Sequence, residues 1–587
     1  MPTTRIFPSL LLIVSAVSGA VCGQEAHHPR ISIVHPGPEN LTGDLKSIFD
    51  LTTPEEQESW IDLEDILVIT SSGIDPERPV RMDMLTGLTP VNYLIWLPFA
   101  DDDGLFELRD NLDAGLGFQT IPVPGQKGLY RIESLDNDLD EGWFRVLLSE
   151  RYVVLVLTTP QTRVLLRQMI LRTDDPLPEI ASLAELGAGV AVAIVNVKHD
   201  AESLEKRRDS LREIRAVELD ALQRRPTERT TEFNLRKDTY SFLLDEYERL
   251  LAEADNVEVW GDLDRDAHVA SLRFRASAIP ETSLAVSISE FGVASDAFAG
   301  VGPLPDTVFS GRLNHPLDQL RQRNLNSFMD LLSADIESRV AASETLSVSE
   351  KEATSALVAG VITIVRDGAA TGNINGFAEA THDGTRFTMV GAVSAPDATR
   401  LTETFKQIPL ARADNSVEFG IAAAGEVTIH RIRLAEGFVE WVDRLFGAKQ
   451  DFYVGVGADH VWMAAGPGAQ DAMIQIIGEF GEAAPSETAL KETALKVDVK
   501  LHPWIQRLRE LAEQEPLPEA LEDRRAWRED LVLMKQAVES LVADDEFHFE
   551  VSASEAEVSG FATFNTGLLR FLGRRFAKFS KENLGVD

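Results

Sequence analysis

Cysteine is nearly missing from this chain: Cys22 is the only one in 587 residues, and it stands beside an expected cleavage site. With cleavage after Gly23 the mature chain has none, which excludes disulfides, thiolate catalysis and cysteine-ligated metals in the mature monomer. The residues before Cys22 are Gly19, Ala20 and Val21, not the leucine and small residues of a lipoprotein signal, so lipidation is not expected. Positive charge is also scarce. Lys and Arg number 56 against 95 Asp and Glu, for a net charge of −39 and a pI near 4.7. Nucleic-acid affinity rests on basic residues that displace counterions, so DNA and RNA are set aside as partners. Long apolar runs are lacking too, and no run after the N-terminus reaches about 18 residues, so no transmembrane segment is expected. No nucleophile elbow G-x-S-x-G, no HExxH, no Walker loop and no GxGxxG between strand and helix is present, which lowers the expectation of an enzyme without removing it.

What the chain does have begins with a leader. Arg5, an apolar core over residues 10–17 and small residues over 18–23 read as a secretory signal peptide, residues 1–23, cut after Ala20 or Gly23. Export to the periplasm, the cell surface or the medium is therefore expected. The remainder is 44% hydrophobic and 26% charged by whole-chain composition, enough apolar material for packed cores. Its length exceeds one core and implies roughly three to four structural units, or two large halves.

Signals recur along the chain. A β-type run stopped by histidine opens four cycles: ISIVHP, IVNVKHD, SGRLNHP and VDVKLHP, with His35, His199, His315 and His502 at the strand exits. Two amphipathic helical patterns and a hairpin follow in each cycle, and corresponding histidines of the two halves lie about 280 and 300 residues apart. Strand-rich segments separate the cycles at 117–160 and 417–466. The first holds the continuously apolar stretch Val153 to Leu157, expected to be buried on both faces. The fold expected is α+β: two pseudo-repeated halves, residues 24–300 and 301–587, whose antiparallel sheets are packed on one face by helical hairpins. Units fall near 31–113 and 191–276 in the first half and near 308–407 and 496–580 in the second.

Finer expectations follow from local patterns. LAVSISEF before the Gly- and Pro-rich stretch near residue 300 is strand-like, and Ser349 with Glu352 forms a capping box for the helix that follows. The basic amphipathic C-terminal helix, with Leu568, Leu572, Phe576 and Phe579 on one face and Arg570, Arg574, Arg575, Lys578 and Lys581 around it, is expected to pack on its own sheet; a membrane surface or partner is the alternative.

Two residue sets invite a chemical reading. His35, His199, His315 and His502, if brought together, would supply metal ligands or acid-base groups. The simpler reading makes each histidine an N-cap, with the proline after it at the first helical position. Asp136, Asp138 and Asp140, followed by Gly142, resemble part of a calcium loop, because alternating carboxylates can face one hard cation. There the glycine falls one place late and Leu147 stands where a bidentate glutamate belongs, so an acidic turn is the simpler reading. No catalytic residue is nominated and no cofactor is expected, calcium being the alternative. The functional expectation is an exported, non-catalytic protein that binds a small ligand or protein partner or is a structural component of the cell envelope. The alternatives are an extracytoplasmic hydrolase with a site assembled from distant residues and a carrier of an apolar ligand.

Overall fold

The computed structural model of the chain describes residues 30–85, 92–111, 118–134, 142–148, 151–157, 189–196, 198–226, 228–291, 296–299, 301–434, 445–446, 451–482, 493–514, 521–542, 544–554 and 556–583. Strands are written where β-branched and aromatic residues alternate, and helices where apolar residues recur at three and four, giving mixed helix and antiparallel sheet. Two compact units divide the chain, and each is discontinuous. The first takes Met1–Ala221, Asp245–Leu284 and Thr563–Asp587; the second takes Leu222–Leu244 and Ala285–Ala562. The leader and Cys22 lie outside the described residues.

In the first unit the strands are β1 (Arg30–His35), β2 (Val80–Leu85), β3 (Asn92–Pro98), β4 (Phe118–Pro122), β5 (Leu129–Ser134), β6 (Gly142–Leu147), β7 (Tyr152–Leu157), β8 (Val190–Val195), β9 (Ala254–Asp264) and β10 (Val269–Ala278). They pair antiparallel in the order β4-β5-β6-β7-β3-β2-β1-β8-β9-β10. The apolar run in β7 is buried on both faces, as its sequence requires. Val154 and Val156 join Trp96 and Trp143 on one side, while Val153 and Leu155 join Phe99, Leu108 and Phe144 on the other. Each such buried side chain contributes about 1.5–3 kcal/mol relative to exposure.

In the second unit the strands are β11 (Thr307–Pro316), β12 (Asn373–His382), β13 (Phe387–Ser394), β14 (Ser416–Ala424), β15 (Val427–Arg433), β16 (Asp451–Val456), β17 (His460–Ala465), β18 (Thr493–Lys500), β19 (Glu546–Ala553) and β20 (Glu557–Phe564). Their order is β14-β15-β16-β17-β13-β12-β11-β18-β19-β20. One face of β12, β13 and β17 carries Phe377, Val390, Ala392, Trp462 and Ala464, covered by Phe298, Val301 and Leu304 and by the helix Ala469–Glu482. Opposite, Val456 and Val461 pack on Ile364, Leu401, Phe405 and Ile408.

Helices occupy the connections. Helix Pro38–Asp50 and helix Ser59–Ser71 lie between β1 and β2, helices Ala201–Ala221 and Thr230–Glu253 between β8 and β9. Helices Gln319–Ala342 and Val348–Ala370 lie between β11 and β12, and Leu501–Gln514 and Leu521–Ser540 between β18 and β19. Helix Val348–Ala370 is long and apolar enough to cross a membrane by length and composition. It packs beside Gln319–Ala342 and the short helices Leu401–Phe405 and Ile408–Ala411, burying Ala353, Ile362, Ile364 and Ala369.

Four local expectations are corrected. Ser283–Phe291 is a helix, not a strand: the Glu253 carboxylate accepts the Leu284 N–H (2.7 Å) and the Ser283 hydroxyl (2.7 Å), capping its first turn. Leu284 and Ile288, one helical turn apart, are buried, with Ser287 beside them. The capping box before Val348–Ala370 is Ser347 with Glu350, two residues earlier than expected. The strand-exit histidines are not N-caps. Gly37 and Asp318 hold that position in two of the cycles, the Asp200 carboxylate accepts the Ser203 N–H (2.9 Å) in a third, and in the fourth His502 lies inside the first turn with its N–H donated to Asp545 Oδ2 (2.7 Å). The C-terminal helix Thr566–Asn583 packs chiefly on Pro38–Asp50, Pro54–Gln57 and Ser59–Ser71. Gly573 makes this approach possible, since a Cβ there would stand 2.7 Å from the Ile48 carbonyl oxygen. Arg574 Nε reaches Glu56 Oε1 at 2.9 Å, and Ala577 is buried with Phe49 and Trp60.

Candidate functional site

Register assembles a polar array on the second unit's sheet that no single stretch of sequence contains. His548 on β19 stands opposite Asp498 on β18, Asp498 opposite Ser310 on β11, and Ser310 opposite Glu379 on β12. One pleat along, Glu550, Lys496, Arg312 and Phe377 form the parallel row. Side chains two residues apart share a face, so both rows look the same way. The row ends where Phe377 and Val390 enter the apolar core.

The groups bond in two sets, one around His548 and one around Glu379. Asp498 Oδ1 lies 2.6 Å from His548 Nδ1, and Glu550 Oε2 lies 3.6 Å from His548 Nε2. Ser310 Oγ donates to Glu379 Oε1 (2.7 Å) and Thr307 Oγ1 to Glu379 Oε2 (3.3 Å). Arg312 lies 3.8 Å from Glu379, donates to the Phe298 carbonyl at 2.7 Å and also to that of Val301, and sits over the Phe377 ring at 5.7 Å. Exposure grades across the row: Asp498 is 45% exposed, His548 23%, Glu379 0%. Burial pushes the Glu379 carboxyl above its ordinary range. The hydrogen bonds from Ser310 and Thr307 and the charge of Arg312 oppose that, and the Asp498 charge adds to it. Burial likewise raises Asp296, whose carboxylate accepts the Phe298 N–H at 2.8 Å.

In the first unit, Ser32 on β1 faces Asp83 on β2. The Ser32 hydroxyl donates to Asp83 Oδ1 (2.6 Å), Arg81 Nε to the same oxygen (2.7 Å) and Trp96 Nε1 to Oδ2 (3.0 Å). Arg81 and Asp83 are each 1% exposed. Opposite Ser32 on β8 is Ala193, then Glu258 on β9, paired with Arg275. Ser32 has Ala193 as its neighbour on β8 where Ser310 has Asp498 as its neighbour on β18; the first polar group is sealed, and the second opens outward at Asp498.

None of the four strand-exit histidines is a member of this row. Asp136, Asp138 and Asp140 lie outside the described residues. In the first unit β1 and β8 run antiparallel, with Val34 beside Ala191 and Arg30 beside Val195. Their exits are therefore at opposite ends of the strands, and His35 and His199 are a strand length apart, about 15–20 Å. His315 and His502 are separated in the same way, because β11 and β18 are also antiparallel neighbours. Three of the four imidazoles have a local task. His35 Nδ1 accepts the Gly37 N–H (3.2 Å), His199 Nε2 lies 2.7 Å from the Asn196 carbonyl and 3.0 Å from Asp255, and His315 Nδ1 lies 2.7 Å from the Pro316 carbonyl. Among the described residues no group of three or more His, Cys, Asp and Glu is arranged to hold a metal ion.

Ser310, Glu379, Asp498 and His548 went unnoticed in the sequence, where S-G-R, A-E-A, V-D-V and F-H-F read as the solvent face of alternating strands. Only strand order distinguishes a shared polar row from four separate wet faces. Compared with known proteins, the chain matches no family model, no curated protein and no solved structure.

Proposed function

We propose an exported, non-catalytic protein built from two copies of one α+β fold, in which the second copy presents its polar array to a small polar ligand or a partner. The duplication rests on strand order. With each strand number of the second unit reduced by ten, its order becomes that of the first. In each unit a serine on the first strand faces a buried carboxylate on the second, Ser32 with Asp83 and Ser310 with Glu379. Helical pairs also fill the same connections, after the first and the eighth strand of each unit.

The observation that carries the binding reading is the graded row His548–Asp498–Ser310–Glu379. Ser310 is bonded to Glu379 at the inner end, and at the outer end the His548 imidazole is held between the partly exposed carboxylates Asp498 and Glu550. Preorganised polar groups of this kind favour binding because little side-chain freedom remains to be lost.

A second reading, an extracytoplasmic hydrolase, is favoured by one feature: a histidine oriented by a carboxylate at 2.6 Å is half of a nucleophile-activating arrangement. A screen of the purified chain with ester, peptide and glycoside substrates separates the two. Equal background in the native chain and in His548→Ala supports binding without catalysis. Turnover abolished by His548→Ala overturns it.

A further inference from the structure

The C-terminal helix Thr566–Asn583 carries five basic residues and one acidic residue in a chain whose net charge is −39. Its inner side is committed to the first unit: Leu569, Gly573, Ala577 and Ser580 are buried, and the Ser580 hydroxyl donates to the Ser59 carbonyl at 3.0 Å. At 3.6 residues per turn, Arg575, Lys578 and Phe579 fall on the opposite side, with Phe576 at its flank. All four are exposed, Phe579 at 58% and Phe576 at 40%. The helix it packs beside, Ser59–Ser71, leaves Ile61 and Val68 exposed at 61% each, two turns apart on one stripe.

We infer that this outer side docks on an anionic lipid bilayer, with Phe576 and Phe579 entering the headgroup boundary and Arg575, Lys578 and Lys581 meeting lipid phosphates. The charge distribution selects this occupant. A helix lying in the interface plane presents aromatic residues to the acyl boundary and cations to the headgroups, and needs no spanning length. The acidity of the rest of the chain does not cancel the attraction, because charges more than about 10 Å away are screened at 0.1 M salt. Attraction between exposed cations and lipid phosphates is itself screened by salt, so binding is strongly salt-dependent. This surface lies in the first unit and is independent of the polar array, so failure of either proposal leaves the other standing.

Co-sedimentation of the full chain with vesicles tests the inference, using phosphatidylcholine alone and an equimolar mixture with phosphatidylglycerol. The expected result is binding to the mixed vesicles only, weakened about tenfold or more by Arg575→Glu with Lys578→Glu, and lost in high salt. Phe579→Ser is expected to weaken binding to the same vesicles, with a melting temperature like that of the native chain showing the fold intact. No binding to mixed vesicles, equal binding to both compositions, or retention by the double charge reversal would each overturn it. Self-association removed by the same double variant, without vesicle binding, would assign the face to the acidic surface of a second copy and overturn it as well.

Discussion

Glu379 is a carboxylate with no exposed surface, hydrogen-bonded to Ser310 and Thr307 and 3.8 Å from Arg312. Removing one member of such a buried set leaves the others desolvated and unanswered, so Glu379→Ala is expected to cost roughly 3 kcal/mol in urea unfolding. Glu379→Gln keeps an acceptor for Ser310 and removes the buried charge, and behaves differently with pH. Burial raises the carboxyl above its ordinary 4.5, so its contribution is fully present below pH 4.5 and is lost as pH rises through the folded value. The glutamine variant is therefore expected to gain on the native chain between pH 4 and pH 7 in paired melts; a constant difference would show that the carboxyl is not held up by burial. In the sequence this residue sat in FAEATH as the polar half of an alternation. Its burial depends on the segment around Phe298, whose carbonyl holds Arg312 from 14 residues away. Nothing local to β12 records that.

At the scale of elements, the connections were readable and their ends less so. Helical pairs were visible in three- and four-residue spacing, and β7 was visible as a strand buried on both faces. Helix Ser283–Phe291 was not, because the nine residues S-L-A-V-S-I-S-E-F fit periods of two and of 3.6 equally well, and the group that decides, Glu253, arrives from the end of helix Thr230–Glu253. The box expected before Val348–Ala370 was Ser349 with Glu352, and the structure uses Ser347 with Glu350. Ser347→Ala is expected to cost about 1 kcal/mol. Ser349→Ala is expected to stay within about 0.5 kcal/mol. Equal losses in chemical denaturation would contradict the assigned cap.

For the whole molecule, the order of signals along the chain suggested two similar halves, but sequence order is not spatial order. In both units the seventh strand pairs with the third, closing a four-strand meander back onto the sheet, and the eighth pairs with the first. The pairing of β11 with β18 brings Ser310 beside Asp498 from far along the chain, and without it the polar row is split in two. The pairings of the eighth strand with the first also explain why the histidines, conspicuous as repeated punctuation, do not meet: antiparallel partners carry their exits to opposite ends. One ten-strand order used twice implies two separate sheet interiors, and hydrogen exchange of the intact chain, resolved by mass spectrometry, reports on both. Interior strands exchange through larger openings than edge strands. Two separate protection maxima are expected, one over β1 and β2 and one over β11 and β12, with β4 and β14, each paired on one side only, exchanging fastest in their sheets. A single maximum, or β4 or β14 among the slowest strands, would contradict the claim.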